Sequence, residues 1–147
     1  MHIDNRRARF DYTILDRLEA GVHLTGPEVK SLRGGHAKLD GAFVRIIGSE
    51  AYLVNAHISP YSFARIEGYD PVRTRKLLLH KKEIVSVKSK LQSSNLTLIP
   101  LAWYTRGPLV KLEIGLARGK KQYEKRQAKK REDQKRELEV EYRGKVK

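Results

Sequence analysis

The feature that most constrains the fold lies between residues 96 and 117. Residues 96–104 and 109–117 flank Arg106-Gly107-Pro108, and the Gly-Pro pair marks a turn. In the second arm Val110, Leu112, Ile114 and Leu116 alternate with Lys111 and Glu113. A period of two makes this a half-buried strand with one wet face, the second arm of an antiparallel hairpin. Whatever else the chain does, it must cover the apolar side of that hairpin.

The remaining segments supply short partners. Phe10, Tyr12, Ile14 and Leu18 share one parity, with Asp16 the exception, and predict a strand. Thr25-Gly26-Pro27-Glu28 opens a short helix: Thr25 can cap it, Glu28 can complete a capping box, and Pro27 is tolerated in the first turn. Val29 and Leu32 are its expected buried face, and Gly34-Gly35 ends it. Residues 43–47 and 51–58 predict a hairpin around Gly48-Ser49, stopped by Pro60. Residues 62–74 read as a loop. Residues 80–91 read as a helix, with Ile84, Val87 and Leu91 inward. The expected fold is mainly β with short helices (α+β): an OB-like antiparallel β-barrel with flanking helices, a class that binds nucleic acid on its face and loops.

Charge narrows the function. The 147 residues hold 31 Lys and Arg against 17 Asp and Glu, a formal net charge of +14. Such a field attracts polyanions. No lipidation motif and no apolar helix face argue for a membrane, so nucleic acid is the expected partner. Half of the net charge lies in residues 118–147, which hold 13 basic and 6 acidic side chains and no apolar stripe able to pack on a core. We therefore divide the chain into a folded domain, residues 1–118, and a basic C-terminal tail, residues 119–147, disordered when free and helical when bound. The alternative for the tail is a permanently solvated charged helix. With no cysteine and five scattered histidines, the chain offers no disulfide, no thiol chemistry and no zinc-ligand spacing. No metal, no cofactor and no catalysis are expected. No apolar run is long enough to span a bilayer, and the expected location is cytoplasmic.

The residues also resemble a family. Asn5-Arg6-Arg7-Ala8-Arg9 followed by Asp11-Tyr12 is similar to the opening of the SsrA-binding proteins, also called small protein B. The likeness continues through Glu19-Ala20-Gly21, Leu24-Thr25-Gly26-Pro27-Glu28-Val29-Lys30-Ser31-Leu32-Arg33 and His57-Ile58-Ser59-Pro60-Tyr61. It recurs in Asp70-Pro71-Val72-Arg73-Thr74-Arg75-Lys76-Leu77-Leu78-Leu79-His80, Leu96-Thr97-Leu98-Ile99-Pro100-Leu101 and Leu116-Ala117-Arg118-Gly119-Lys120-Lys121-Gln122-Tyr123. The matches run in order over residues 5–126. The resemblance implies an oligonucleotide-binding barrel that binds the tRNA-like end of transfer-messenger RNA and delivers it to stalled bacterial ribosomes. The tail then enters the empty mRNA path near the decoding centre, and the nascent peptide is tagged for degradation.

By resemblance, Asn5, Glu19 and Leu78 are RNA-binding positions. From the residues alone each has a second reading: Asn5 as a loop cap, Glu19 as a buried partner positioning Arg7 or Lys30, Leu78 as plain core. Arg6, Arg7, Arg9, Lys30, Arg33, Arg73, Arg75 and Lys76 are candidate phosphate contacts, against the alternative of solvated surface charges. His57 and Tyr61 can stack on a loop base or sit at the core edge. In the tail the ribosome-binding candidates are Gly119 as hinge, Lys120, Lys121, Lys125 and Arg126 toward ribosomal RNA phosphates, Tyr123 as a stacking ring, and Glu124, where the family commonly has Asp. The expected partners are transfer-messenger RNA and the ribosome, bound by a monomer. Two rivals share the charge: a stoichiometric ribosomal scaffold protein, and an RNA-processing enzyme. For the enzyme, the acids Asp11, Asp16, Glu28, Asp40, Asp70 and Glu83 are spread over separate segments and no P-loop or nucleophile motif appears.

Overall fold

A computed structural model describes residues 1–64, 67–120, 126 and 129–136. The elements run β1 (His2–Asp4), α1 (Arg6–Asp11), β2 (Tyr12–Val22), α2 (Gly26–Arg33), β3 (Ala37–Lys38), β4 (Phe43–Ile47), β5 (Glu50–Val54), β6 (His57–Ile58), β7 (Arg75–Leu78), α3 (Lys81–Ser93), β8 (Thr97–Arg106) and β9 (Leu109–Gly119). Seven strands form one antiparallel sheet in the order β1-β8-β9-β2-β7-β5-β4, and β3 pairs with β6 separately. The backbones of β4 and β8 also lie against each other without a hydrogen-bonded ladder. The sheet thus curls into an OB-like barrel left open along that seam.

The expected hairpin is the spine of this sheet, with β8 and β9 joined at Gly107, whose φ of 59° the turn requires. Leu112, Ile114 and Leu116 point inward with Leu98, Trp103, Ala20, Leu53 and Leu77. Only Lys111 and Glu113 keep the expected wet face. Toward its C-terminal end β9 is buried on both sides, because α1 covers the outer face there and Ala8 packs on Ile99, Leu101 and Ala117. Gly115 permits this: a Cβ there would lie 3.0 Å from Leu101.

Several expectations are corrected. Phe10 lies in α1, and the strand starts at Tyr12. A bulge between Ile14 and Asp16 breaks the shared parity, so Tyr12 and Ile14 pack under α1 while Leu18 packs on the main core. The hairpin arm 51–58 splits at Asn55 (φ 64°) into β5 and β6, which belong to different sheets. In α2 the capping box forms as expected, but the buried residues are Glu28, Ser31 and Leu32, and Val29 is only partly covered. The sequence reading assigned no strand to β1 or β7 and no helix to α1. The helix α3 buries Ile84 and Val87 as expected, and Glu83 Oε1 accepts the His80 N–H at 3.2 Å.

Beyond β9, the Lys120 N–H donates to Asp11 O at 2.9 Å and Lys120 Nζ to Arg9 O at 3.3 Å. Residues 126 and 129–136 are helical and exposed, and Arg136 Nη2 meets Glu132 Oε1 at 2.8 Å. None of the described helices is long and apolar enough to cross a membrane.

Candidate nucleic-acid interface

The outer face of the sheet, where α1 does not cover it, is open. Pairing places Tyr104, Lys111, Gly21 and Leu78 side by side across β8, β9, β2 and β7. Leu78 is 55% exposed. It leans over Gly21, where a Cβ would meet it at 3.3 Å. The structure therefore rejects the core reading of Leu78 and leaves it a bare apolar contact on a polar face. Around it lies a groove of about 500 Å³, lined on the sheet by Gly21, Lys76, Leu77, Leu78, Leu79 and Lys111. His80, Lys81 and Ile84 wall it from the start of α3, Ser49 from the β4–β5 turn and Glu50 from the start of β5. Lys76 Nζ lies 3.0 Å from Glu50 Oε1, whose partner oxygen accepts the Tyr52 hydroxyl at 2.5 Å.

One row further along, Glu19 stands directly opposite Glu113. Facing like charges destabilise a sheet unless something answers them. Here cations do. Arg106 Nη2 lies 3.3 Å from Glu19 Oε2, and the Tyr104 hydroxyl donates to the same oxygen. Arg9 and Arg17 approach Glu113 Oε1 at 3.7 and 3.5 Å, and Arg9 also binds Asp4 at 3.0 Å. Burial, with the Glu19 carboxylate beside it, pushes the Tyr104 hydroxyl up to about 12, so it stays a donor. Glu19 thus orients Tyr104 and Arg106, and not the Arg7 or Lys30 of its second reading. One side of its carboxylate is held, and acceptor capacity remains for a base amino group or a ribose hydroxyl.

Other expected contacts are placed elsewhere. Asn5 is buried: its Oδ1 accepts the Ala8 N–H at 3.2 Å, and its Nδ2 donates to Pro100 O at 2.8 Å and Leu39 O at 3.4 Å. It is the N-cap of α1 and fixes that helix on the barrel, the second of its two readings. Arg75 is fully buried and unable to meet phosphate. Its Nε donates to Glu28 Oε2 at 2.7 Å and its Nη1 to Ala56 O at 2.8 Å, while Nη2 reaches Pro71 O at 3.1 Å and the Tyr69 hydroxyl at 3.3 Å. Arg73 Nη2 lies 2.5 Å from Glu28 Oε1, so most of its fork is also committed to the fold. Burial works against the Glu28 charge, but hydrogen bonds from Arg73, the Thr25 N–H and Arg75 prevail and hold its carboxyl down at about 2. Sequence reasoning missed this cluster because nothing local marks Arg73 and Arg75 as turned toward Glu28, 45 and 47 residues away.

Arg6 and Arg7 stay exposed on α1, Arg7 3.7 Å from Asp11. On α2, Lys30 and Arg33 are exposed: Lys30 sits 5.5 Å above the Tyr61 ring, and Arg33 donates to Pro108 O at 2.8 Å. His57 is half-buried in β6. Residues the sequence reading did not single out are Arg17, Lys81, Tyr104, Arg106 and Lys111 around the open face, and Phe63 beside Tyr61. The alternation of β9 puts Lys111 on the wet face but does not mark it as a contact. Of the tail residues, Gly119 is still paired with Tyr12 in β9, and Lys120 is tied to α1. Arg126 is helical and exposed. Lys121, Tyr123, Glu124 and Lys125 lie outside the described residues.

A curled antiparallel sheet with a packed inner face and an outer face of paired cations around a bare leucine defines an OB-like, polyanion-binding barrel. The chain belongs to the SmpB protein family, whose model matches residues 2–144. It is 50% identical over 143 residues to the SsrA-binding protein of Sulfurihydrogenibium sp. (strain YO3AOP1), covering 97% of this chain and 94% of that one. It is 50% identical over 123 residues to the SsrA-binding protein of Enterococcus faecalis, covering 84% and 80%. A chain of the solved structure "tmRNA-SmpB: a journey to the center of the bacterial ribosome" matches with a TM-score of 0.69 and 47% identity, over 82% of this chain and 85% of that one.

Proposed function

We propose that this protein binds the tRNA-like domain of transfer-messenger RNA and delivers it to stalled ribosomes for trans-translation, so that the ribosome is rescued and the nascent peptide is tagged for degradation. The observation that carries this reading is the solvent-open sheet face on which Leu78, Glu19, Lys76 and Lys111 lie together. Leu78 offers an apolar surface to an unstacked base, Glu19 an acceptor to a base edge or ribose, and the lysines release counterions from phosphates. Arg6 and Arg7 extend the cationic surface along α1. The RNA partner and the ribosome follow the family and the names its members carry. The protein works as a non-catalytic, monomeric adaptor in the cytoplasm. Among the described residues no three His, Asp or Glu side chains gather as metal ligands.

The tail beyond β9 has a separate role: it occupies the empty mRNA channel near the decoding centre, with Lys120, Lys121, Lys125 and Arg126 on ribosomal RNA and Tyr123 stacked on a base. The test is truncation after Lys120, which still hydrogen-bonds to α1. The shortened protein keeps its affinity for transfer-messenger RNA within a few-fold and loses peptide tagging on stalled ribosomes. Loss of RNA binding on truncation would overturn this division of labour.

A further inference from the structure

The loop that leaves β6 carries an aromatic pair: Tyr61, half-buried against the barrel, and Phe63, which stands clear of it. Phe63 is 85% exposed, the most exposed of the large apolar side chains among the described residues. It contributes nothing to the core, yet it is not loose: the Tyr61 ring stands against it edge-on, centroids 5.5 Å apart at 61°. Lys30 Nζ holds the Tyr61 ring at 5.5 Å. The start of the loop is pinned, because Ser31 Oγ donates to Ser59 O at 2.7 Å and the Ser59 N–H to His36 O at 2.9 Å. Its far side is pinned through Tyr69, whose hydroxyl donates to Ile58 O at 2.9 Å beside the buried Glu28. An aromatic ring propped in water on a loop whose ends are pinned is pre-organised for a flat ligand.

We propose that Phe63, propped by Tyr61, is a stacking platform for one unpaired base of the tRNA-like domain of transfer-messenger RNA, with Lys30 and Arg33 on the flanking phosphates. Charge selects the ligand: neither Lys30 nor Arg33 has a carboxylate partner among the described residues, so the ring pair adjoins one such cation, Lys30, with a second, Arg33, three residues on in α2. That combination suits a base in a single-stranded loop. Position selects the same RNA as the sheet face. Arg33 holds Pro108 in the β8–β9 turn, and that turn also carries Arg106 against Glu19. Through Arg33, the helix that props the platform therefore reaches the edge of the open face. The inference rests on the RNA reading above.

The full-length chain is titrated with the isolated tRNA-like domain at physiological salt. Phe63→Ala weakens binding about ten- to a hundred-fold without changing the salt dependence, and leaves thermal stability unaltered. Lys30→Met lowers the slope of log affinity against log salt by about one phosphate contact. In Phe63→Trp the new indole is quenched on binding, against a background of the chain's one natural tryptophan, Trp103, which is buried. Wild-type affinity in Phe63→Ala, or quenching by ribosomes but not by the tRNA-like domain, overturns the proposal. A wild-type chain that ignores the tRNA-like domain refutes the RNA reading itself.

Discussion

Two glutamates in this barrel are handled with the same side-chain types and serve opposite ends. Glu28, in α2, is buried between Arg73, Arg75 and the Tyr69 hydroxyl. Glu19, in β2, is held by Arg106 and the Tyr104 hydroxyl on the open face. In the first cluster every strong donor is turned inward, and the arginines that look like phosphate contacts in the sequence are consumed by the fold. In the second the cations neutralise a carboxylate that water and ligands still reach. The difference is burial. In a low-dielectric site a charge must be fully matched, whereas at a surface it can be half-matched and keep binding capacity. A basic composition therefore overstates the binding surface, because part of it goes to hold one buried acid.

The largest expected effect breaks the buried cluster. Glu28→Gln leaves Arg75 buried with no counter-charge and costs about 3–5 kcal/mol in urea unfolding. The pH dependence gives the sign. The carboxyl is held at about 2 in the fold against an ordinary 4.5. Its ionisation contributes about 3 kcal/mol that is fully present above pH ~4.5 and lost as pH falls towards ~2. The stability curves of wild type and Glu28→Gln should converge over that window, and parallel curves would remove the charge from the explanation. Next in size is Leu78→Asp, which adds a carboxylate to the open sheet face. It should reduce affinity for the tRNA-like domain more than tenfold while changing stability by no more than about 0.5 kcal/mol. A stability loss of several kcal/mol would return Leu78 to the core. The smallest effect belongs to Glu19→Gln or Tyr104→Phe, which cost about 1 kcal/mol or less in stability. They should lower selectivity for the tRNA-like domain over RNA of equal length several-fold, with the salt slope unchanged. A fall in the salt slope instead would assign Glu19 to the organisation of phosphate contacts.

Local rules made part of the fold readable without coordinates. The capping box at Thr25 and Glu28, the α3 stripe of Ile84 and Val87, and the β8–β9 hairpin all follow from signals within a few residues of one another. So did the OB-like class and the polyanion partner, through alternation and net charge. The small N-terminal helix escaped because the side chain of its cap, Asn5, is held in place by carbonyls 34 and 95 residues away, at Leu39 and Pro100, although the capping bond to Ala8 is local. The family resemblance named Glu19 and Leu78 as positions that matter but left open what each side chain faces.

The sequence by itself determined the spacing of the apolar residues, the ends of α2 and α3, and the charge that selects a polyanion, because each is settled within a turn of helix or a hairpin. Only the tertiary structure decided that Arg75 faces inward and Leu78 outward. These two residues sit three apart on β7, and their parity acquires a meaning only when that strand slots between β2 and β5. A strand offers two equivalent faces, and its neighbours choose which one meets water.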